Sequence, residues 1–316
     1  MNFLQQPIKS IPALFFLALA FVPTIASVLD DNFLTTFLAR VLIYSIAATA
    51  LNIALGFGGL VSLGHALFIG LGMYSVALPA HFGVDNGWMQ LVVCVLSCSV
   101  IGFITGAVSL RTSGIAFIMI TLAFAQMGYF VFVSLKQFGG DDGMAVVAPS
   151  QFFGFKLSTA NSVYYCALSL LFVLTVWIDK LRQSPFGMTL RASRQNARRV
   201  SSVGLALRNY QLTAYVLSAV ICGLAGMLLA NLSAYASPSS MSWIVSGDLI
   251  VMVVLGGMGT VLGPITGAFL FLGVEEILKA FTDNWMAIFG LLIVAIAMLG
   301  KAGVVGWLES FGQNKS

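Results

Sequence analysis

The sequence predicts an all-α fold: a polytopic bundle of about eight to ten transmembrane helices, with two weakly similar, inverted halves and glycine-interrupted helices. Composition is the first observation, because 59% of the 316 residues are hydrophobic and only 8% are charged, whereas about 25% of the residues of a soluble domain carry charge. The second observation is that the apolar residues form runs of about 20, the length that crosses a bilayer core. These runs lack the alternation that is typical of barrel strands.

Nine such runs follow one another along the chain. The predicted spans are 11–29, 33–56, 60–80, 88–110, 114–134, 162–178, 212–235, 248–273 and 285–300. Together they predict one transmembrane domain over residues 1–316. The first run has an alternative interpretation, since Lys9 and the small residues of "TIAS" at 24–27 are also typical of a cleaved signal peptide. The eighth run is interrupted by "GGMGTVLGP" at 256–264, so it is either one broken span or a half-helix followed by a short span.

The segment between the sixth and seventh spans, residues 180–211, concentrates the basic residues of the chain. It contains Lys180, Arg182, Arg191, Arg194, Arg198, Arg199 and Arg208. The loops predicted on the other side contain Asp30, Asp31, Asp85, Asp141 and Asp142 against Lys136 and Lys156. Because basic residues stay on the cytoplasmic side of a membrane, segment 180–211 and the N-terminus are expected in the cytoplasm. The formal net charge of +4 therefore reflects orientation, and no nucleic-acid partner is expected.

Two glycine-rich motifs interrupt the apolar pattern in corresponding places of the two halves. They are "GFGGLVSLGHALFIG" at 56–70 and "LGGMGTVLGPITG" at 255–267. In the predicted topology they run in opposite directions, and paired interruptions of this kind indicate a transport path. The residues expected to line the path are Gly58, Gly59, Ser62, Gly64, His65, Gly256, Gly257, Thr260 and Gly263. The alternative is that the glycines only let helices pack closely, and for His65 a neutral hydrogen-bonding role between helices is preferred.

The basic segment itself is expected to form a helix that runs from Met188 and ends or bends at Gly204. Steps of three and four residues place Arg191, Arg194 and Arg198 on one face of this helix. Such a helix either lies on the bilayer and binds anionic lipid or docks a cytoplasmic protein. The two interpretations are compatible.

Longer stretches of the sequence carry a family resemblance. "SPFGMTLRASRQNARRVSSVGLALRNYQLTAYVLSAVICGLAGMLLA" at 184–230 resembles the coupling loop and following span of the LivM-type permeases of branched-chain amino acid ABC importers. The same family is resembled by "GLVSLGHALFIGLGMYSVA" at 59–77, "LRTSGIAFIMITLAFAQM" at 110–127, "GGDDGM" at 139–144 and "GDLIVMVVLGGMGTVLGPITGA" at 247–268. The resemblance therefore covers nearly the whole chain, in order.

The resemblance implies one permease domain in the inner membrane, surrounded by lipid, with a second, related permease subunit, two cytoplasmic ATPase subunits and a periplasmic binding protein. It also implies that segment 180–211 is the coupling loop that inserts into the ATPase. The residues expected to couple are Arg191, Arg194, Asn196, Ala197, Arg198 and Gly204. Gln195 and Ala197 stand where the family often has an acidic residue, so the helix is wholly basic and is expected to favour an acidic docking groove.

The longest loop on the exterior side, residues 136–161, is the expected landing surface for the binding protein. It contains "GGDDGM", with Asp141 in place of the small hydroxyl residue that the family suggests, and Asp141 and Asp142 are the residues expected to dock. A glycine-rich turn with a purely structural role is the alternative.

The energy source is expected outside this chain. The sequence contains no G-x-x-x-x-G-K-[ST] motif, so no cofactor is expected here and ATP is expected to bind the partner subunits. An ion-coupled secondary transporter is the main rival, because it also uses broken helices. Against it, Asp248, Glu275 and Glu276 are expected at the flanks of spans, not within them. Arg40 is expected to snorkel to the outer interface, in preference to binding a substrate carboxylate.

An intramembrane enzyme is the other class that the sequence disfavours. His65 and His81 lack the spacing of a metal site, so neither a metal site nor catalytic residues are expected. The four cysteines are expected to pack inside spans, without disulfides. They are Cys94, Cys98, Cys166 and Cys222.

The expected substrate is a branched-chain or similar hydrophobic amino acid, which is the commonest substrate of the family. Ser62, Thr260 and the freed backbone near Gly58 and Gly256 are the polar groups that such a zwitterion needs. Urea or a short amide would use the same groups, and related permeases transport them, so this alternative stays open.

Overall fold

A computed structural model describes residues 15–24, 32–282 and 284–299 of the chain. Within these ranges it has twelve α-helices. They are α1 (Phe15–Thr24), α2 (Asn32–Asn52), α3 (His65–His81), α4 (Gly87–Ser109), α5 (Ile115–Ser134), α6 (Ala160–Gln183), α7 (Pro185–Gln195), α8 (Ala197–Ser202), α9 (Leu207–Ser233), α10 (Trp243–Gly256), α11 (Gly263–Phe281) and α12 (Trp285–Leu299). The remaining residues of the predicted first and last spans lie outside the described ranges.

Five of the described helices are long and apolar enough to cross a membrane: α2 with the π-helical turn Ile53–Phe57 that extends it, α4, α5, α6 and α9. α1 and α10 are apolar but shorter. The prediction of a polytopic helical membrane protein is confirmed, although length and composition alone support fewer crossings than the nine predicted spans.

α2 lies at the centre of the bundle and packs against α6, α9, α10 and α11. Its small residues allow these neighbours to approach closely, and Ala47, Ala48 and Ala50 are at most 1% exposed. Close contact of small side chains stabilises such packing, because lipid is as apolar as the helices themselves. The sequence of α2 is therefore that of a helix buried in protein on most of its circumference.

The loops distinguish two ends of the bundle. At one end, α7 and α8 connect α6 to α9, and Arg208 of α9 donates from Nη2 to the carbonyl oxygen of Ala107 in α4 (2.7 Å); we call this the basic end. The loop after α5 lies at the opposite end. It contains the strands β1 (Met144–Ala145), β2 (Gln151–Phe152) and β3 (Phe155–Lys156). β2 pairs with β3, and β1 pairs antiparallel with β4 (Tyr235–Ala236), which follows α9.

Each glycine motif joins a helix that reaches the basic end to a helix that leaves it. α2 and α3 flank the first motif, whose loop is 58–64, and α10 and α11 flank the second, whose loop is 257–262. We call these the first and second glycine loops. The side chain of Asn52, at the end of α2, hydrogen-bonds to the second glycine loop, so the two loops meet at one end of the bundle.

The prediction that the two motifs run in opposite directions is therefore wrong. It assumed that 248–273 is a single span, whereas the chain turns at the second glycine loop and α11 leaves the basic end in the same sense as α3. Of the two alternatives for this run, the structure has a half-helix, α10, followed by a separate helix.

The predicted span 60–80 also begins later than expected. Residues 60–64 are not helical, because Gly59 has a φ of +70° that ends the preceding turn. The Leu63 N–H instead donates to the Thr121 Oγ1 atom of α5 (3.2 Å). The helix α3 consequently starts at His65.

The C-terminal helices form a hairpin whose turn lies at the opposite end. α11 runs about 28 Å away from the second glycine loop, given 1.5 Å per residue, and α12 packs back against it. The rings of Phe271 and Phe289 are 4.8 Å apart between centroids, and Lys279 lies over the ring of Trp285 (4.8 Å). Residues 275–284 therefore lie at the opposite end of the bundle.

Candidate functional site

The basic segment forms two short helices, not the single helix predicted from Met188. Asn196 has an extended backbone (φ −156°, ψ 97°), and its side chain accepts from the Arg199 N–H (3.1 Å), which makes it the N-cap of α8. Asn is among the best N-cap residues. The break at Asn196 takes Arg198 off the helix that carries Arg191 and Arg194, so the prediction that the three arginines share one face is wrong. Gly204 follows α8 with a φ of +86°, as expected for a residue that ends a helix.

Arg194 is exposed on α7, but its guanidinium group reaches the end of α2. Its Nη1 atom donates to the carbonyl oxygen of Gly56 (2.5 Å), in the π-helical turn that leads into the first glycine loop. The same side chain packs beside Gly59 and Gly259, and a Cβ atom added to Gly259 would lie 3.2 Å from Arg194 Nη1. Arg194 therefore connects α7 to both glycine loops at once.

The other arginines of α7 and α8 differ in whether they bond within the chain or face solvent. Arg191 donates from Nη2 to the carbonyl oxygen of Arg182 (3.3 Å), so it too is held within the chain. Arg198 and Arg199 are exposed, with their neighbour Ala197. Within the described residues, neither exposed arginine forms an ion pair. Because the exposed Arg194 is hydrogen-bonded to Gly56, the arginine side chains that remain free for a partner, among the described residues of α7 and α8, lie on α8.

Asn52 joins the ends of the two motifs and was not singled out by the sequence. It is fully buried; its Nδ2 atom donates to the carbonyl oxygen of Thr260 (2.8 Å), and its Oδ1 atom accepts from the Gly259 N–H (2.9 Å). Both polar ends of the amide are satisfied, as a buried amide requires. An Asn inside an apolar span was the available signal, because polar residues within membrane helices generally have a partner.

The glycines of the two motifs differ in what their backbone requires. Gly59 and Gly257 have φ values of +70° and +121°, a region that side chains other than hydrogen rarely occupy. Gly256 is buried against the carbonyl of Gly263, with which a side chain would overlap. Thr260 Oγ1 donates to the Gly257 carbonyl (2.9 Å) and accepts from the Gly263 N–H (3.0 Å), which closes the second glycine loop on itself.

Ser62 and His65 are completely buried within the chain. Ser218 Oγ donates its proton to the carbonyl of Ala50 (2.7 Å), so the His65 Nε2 atom, 2.8 Å from the same oxygen, must be the donor to it. His65 Nδ1 is buried without a partner among the described residues, and a second proton there would create an unpaired cation in the core. A neutral His65 between helices agrees with the preferred interpretation.

The path-lining assignments stay predictions, although their surroundings are now defined. Gly58, Gly64, Gly256, Gly257 and Gly263 are buried like Ser62 and His65, whereas Gly59 is exposed and Thr260 is half-buried. A cavity of about 230 Å³ opens beside Gly58, Gly59 and Arg194 and is also lined by the α4–α5 turn. Of the nine predicted residues, those of the first loop contribute most to an open space.

α7 and α8 together form a groove on the outer surface of the basic end. Its volume is about 560 Å³. It is lined by Met188, Ala192, Gln195, Asn196, Arg199, Val200, Val203 and Leu205, among others. Met188 and Val203 are 51% and 78% exposed. Apolar side chains with a cationic rim are what a docking surface for an acidic protein partner requires.

The loop with Asp141 and Asp142 at the opposite end is firmly anchored. Ser150 donates from Oγ to Gln90 Oε1 (2.5 Å), and the Asn231 side chain bonds both the Ser150 N–H and its hydroxyl (2.9 Å each). Asp141 Oδ1 accepts from the Tyr129 hydroxyl (3.2 Å), and both aspartates are exposed. The loop therefore presents its carboxylates on an ordered surface.

Three ionisable residues lie deeper than the sequence suggested. Asp248 and Glu275 are inside α10 and α11 and not at their flanks. The guanidinium of Arg40 lies over the ring of Tyr44 (5.7 Å to the centroid), one turn further into α2. A snorkelling side chain would point toward the near end of the helix, so that interpretation of Arg40 is wrong.

The cysteines and histidines of the described residues form no candidate metal site. Cys94, Cys98 and Cys222 are buried, Cys166 is half-buried, and all four are free thiols. Their packing positions inside α4, α6 and α9 agree with the prediction.

A family model described as "Branched-chain amino acid transport system / permease component" matches residues 33–297. No solved structure matches the chain significantly.

Relatives of two kinds are similar to the chain. The high-affinity branched-chain amino acid transport system permease protein LivM of Escherichia coli (strain K12) is 29% identical over 288 residues, which are 84% of this chain and 68% of that protein. The permease protein LivH of the same organism is 24% identical over 285 residues, 83% of this chain and 91% of LivH. A probable LivM of Methanocaldococcus jannaschii is 21% identical over 323 residues, 83% of this chain and 90% of that protein.

Proposed function

Because this chain belongs to the family of branched-chain amino acid transport permeases, we propose that it is the LivM-type permease subunit of an ABC importer for branched-chain or similar hydrophobic amino acids. It works beside a second, related permease subunit, and the similarity to both LivM and LivH supports such a pair. Two cytoplasmic ATPase subunits supply the energy, and a periplasmic binding protein delivers the substrate. This chain binds no ATP and is not itself an enzyme.

The basic end faces the cytoplasm of the bacterial inner membrane. The exposed Arg198 and Arg199, with the groove of α7 and α8, are the surface that the ATPase covers. Seven basic residues in segment 180–211 support this orientation, because the excess of Lys and Arg marks cytoplasmic loops. The loop with Asp141 and Asp142 then faces the periplasm and receives the binding protein.

The observation that best supports coupling of this chain to an ATPase is the hydrogen bond from Arg194 to Gly56. It joins the helix next to the ATPase surface to the turn that leads into the first glycine loop, while the same side chain abuts Gly259 of the second. A displacement of α7 by the ATPase therefore moves both glycine loops together. Coupling of this kind requires a packed element between the sites that has two arrangements, and we assign this role to the two glycine loops that Asn52 joins.

The test is uptake by a reconstituted complex. The chain is purified with its second permease and ATPases, placed in liposomes, and supplied with binding protein and [³H]leucine, with ATP enclosed on the ATPase side. We expect leucine uptake that requires both ATP and binding protein and that unlabelled isoleucine and valine inhibit. An uptake that urea or acetamide inhibits, while isoleucine does not, would replace the substrate by an amide.

The same liposomes separate the proposal from an ion-coupled transporter. Uptake by the importer continues when a protonophore and a sodium ionophore dissipate the ion gradients, since ATP alone drives it. Uptake that stops with the gradients and continues without ATP would contradict the proposed function.

A further inference from the structure

A group of charged side chains lies at mid-depth in the bundle, away from the glycine loops. At 1.5 Å per residue, Arg40 is roughly 18 Å and Tyr44 roughly 12 Å from Asn52 at the end of α2. Asp248 is roughly 12 Å from the end of α10, and Glu275 is roughly 18 Å from the start of α11, by the same measure. Because α10 and α11 both pack on α2, these residues share one region near the middle of a bilayer core of about 30 Å.

The charges in this group act on one another without pairing fully. Asp248 and Glu275 are near enough to Tyr44, and to each other, to interact electrostatically. Glu275 is paired with Lys279 (2.6 Å). Arg40 is exposed and, among the described residues, has no carboxylate within 4.0 Å. Among the described residues, one cation and one carboxylate near Tyr44, Arg40 and Asp248, are therefore left without an ion-pair partner.

The surface of this region is unfavourable for contact with lipid, because it carries charged side chains. A charged side chain that faces the middle of the hydrocarbon is strongly unfavourable. Among the described residues, Gly247 beside Asp248 and Gly273 near Glu275 both have open space in front of them, since a Cβ at either position would meet no atom within 4 Å. Glycine surfaces let a neighbouring membrane helix approach closely. A second permease subunit, with water between the two chains, is the occupant that fits both the charges and the glycines.

We propose that Arg40 and Asp248, together with the neighbouring Tyr44, form a binding site on the translocation path that receives the carboxylate and the ammonium group of an amino-acid zwitterion. Arg40 offers the forked donors that match a carboxylate. Asp248 offers an acceptor for an ammonium group, and the Tyr44 ring offers an apolar surface next to both. The site explains why a permease for uncharged side chains keeps opposite charges at mid-depth. The inference rests on the proposed function, because it assigns the substrate contacts of that same path.

The first experiment measures leucine uptake by the reconstituted complex with Arg40→Gln, Asp248→Asn and, as a matched control, Asp179→Asn on the exposed last turns of α6. We expect Arg40→Gln and Asp248→Asn each to lower uptake by about tenfold or more, because each removes a charge-assisted hydrogen bond. The second permease still co-purifies with both variants, and the control transports normally. Normal uptake in both variants, or loss of assembly with Arg40→Gln and Asp248→Asn alike, would overturn the site.

The second experiment asks whether the surface faces water. Gly247→Cys is made with Cys166→Ala, since the remaining cysteines are buried, and the complex is treated with a charged, membrane-impermeant methanethiosulfonate. We expect Cys labelling at position 247 and inhibition of uptake, both slowed by excess leucine with loaded binding protein. An unreactive thiol in an active complex would mean that water does not reach this surface and would reject the site. The wild-type arm tests the proposed function separately: if wild type transports leucine and the variants behave normally, only the site is wrong.

Discussion

The Nη1 atom of Arg194 lies 2.5 Å from the carbonyl oxygen of Gly56. Arg194 belongs to the segment that was expected to meet the ATPase, yet its charged group is committed to the permease's own glycine loops. The basic segment thus has two functions: α8 and the groove offer the outward surface, and Arg194 carries the connection inward.

Replacing Arg194 by Met is expected to uncouple the importer. The long apolar side chain keeps the packing next to Gly59 but loses the donor to Gly56. Binding-protein stimulation of ATP hydrolysis should fall by about tenfold, the effect of one charge-assisted hydrogen bond, while the ATPases still co-purify. Arg194→Lys, which retains one N–H donor, should recover part of the stimulation. Full stimulation with Arg194→Met would show that the connection is not used.

Asn52→Leu is expected to destabilise the junction of the two loops. It leaves the Gly259 N–H and the Thr260 carbonyl without their partner, which costs about 2 kcal/mol or more for buried groups. The midpoint of thermal unfolding in detergent should fall by several degrees. The control is Asn161→Leu, because Asn161 is exposed at the start of α6 and its replacement should leave the midpoint unchanged. Equal midpoints in the two variants would contradict the role given to Asn52.

Reversing charge at Arg198 and Arg199 together is expected to weaken ATPase docking. Both side chains are exposed on α8, and an acidic groove on the partner would be repelled by glutamates. The variant Arg198→Glu/Arg199→Glu should bind purified ATPase at least tenfold more weakly, with an effect that shrinks as salt rises. Lys136→Glu/Lys156→Glu, at the opposite end, should bind it normally. Wild-type affinity in the α8 variant would move the docking surface elsewhere.

Charge reversal at Asp141 and Asp142 is expected to weaken docking of the binding protein at the opposite end of the bundle. Their carboxylates are exposed on a loop that Asn231 and Gln90 anchor through Ser150. Lysine at both positions should lower the affinity for the binding protein several-fold without changing the fold, since exposed charges mostly affect association. Asp179→Lys, on the last turns of α6, is the control for charge alone. An affinity that does not change would remove the loop from the docking surface.

Gly256→Val is expected to prevent tight packing of α10 on α11. A side chain there would overlap the carbonyl of Gly263, and forced overlaps of this kind cost about 1 to 3 kcal/mol. The yield of folded, monodisperse protein should drop and the unfolding midpoint should fall. Gly290→Val places the same side chain in open space on α12 and should behave like wild type. A normal yield and midpoint with Gly256→Val would show that the helices separate at little cost.

Most of the helices could be predicted from the sequence, because a lipid environment demands long apolar runs and leaves few alternatives. α4, α5, α6 and α9 begin and end within a few residues of the predicted spans, apart from the five extra residues at the ends of α6 and α9. The prediction of one span over 248–273 was wrong, because hydropathy does not reveal a turn of six residues when the residues on both sides are apolar. The prediction of one helix through Asn196 was wrong because it relied on the helical spacing of the arginines. Asn196 instead caps the N-terminus of a new helix, as its side chain favours.

The sequence by itself determined the class of the molecule, its membrane environment, the concentration of positive charge in segment 180–211 and the residues of the two glycine motifs, because composition and local pattern are sufficient for these. Only the tertiary structure decided that the motifs meet at one end, that Asn52 and Arg194 join them, and that Arg40 and Asp248 lie in one region near the middle of the bundle. These are contacts between residues up to about 200 positions apart in the chain, such as Asn52 with Thr260 (208 positions). No local pattern encodes such contacts, because they depend on the packing of α10 and α11 against α2.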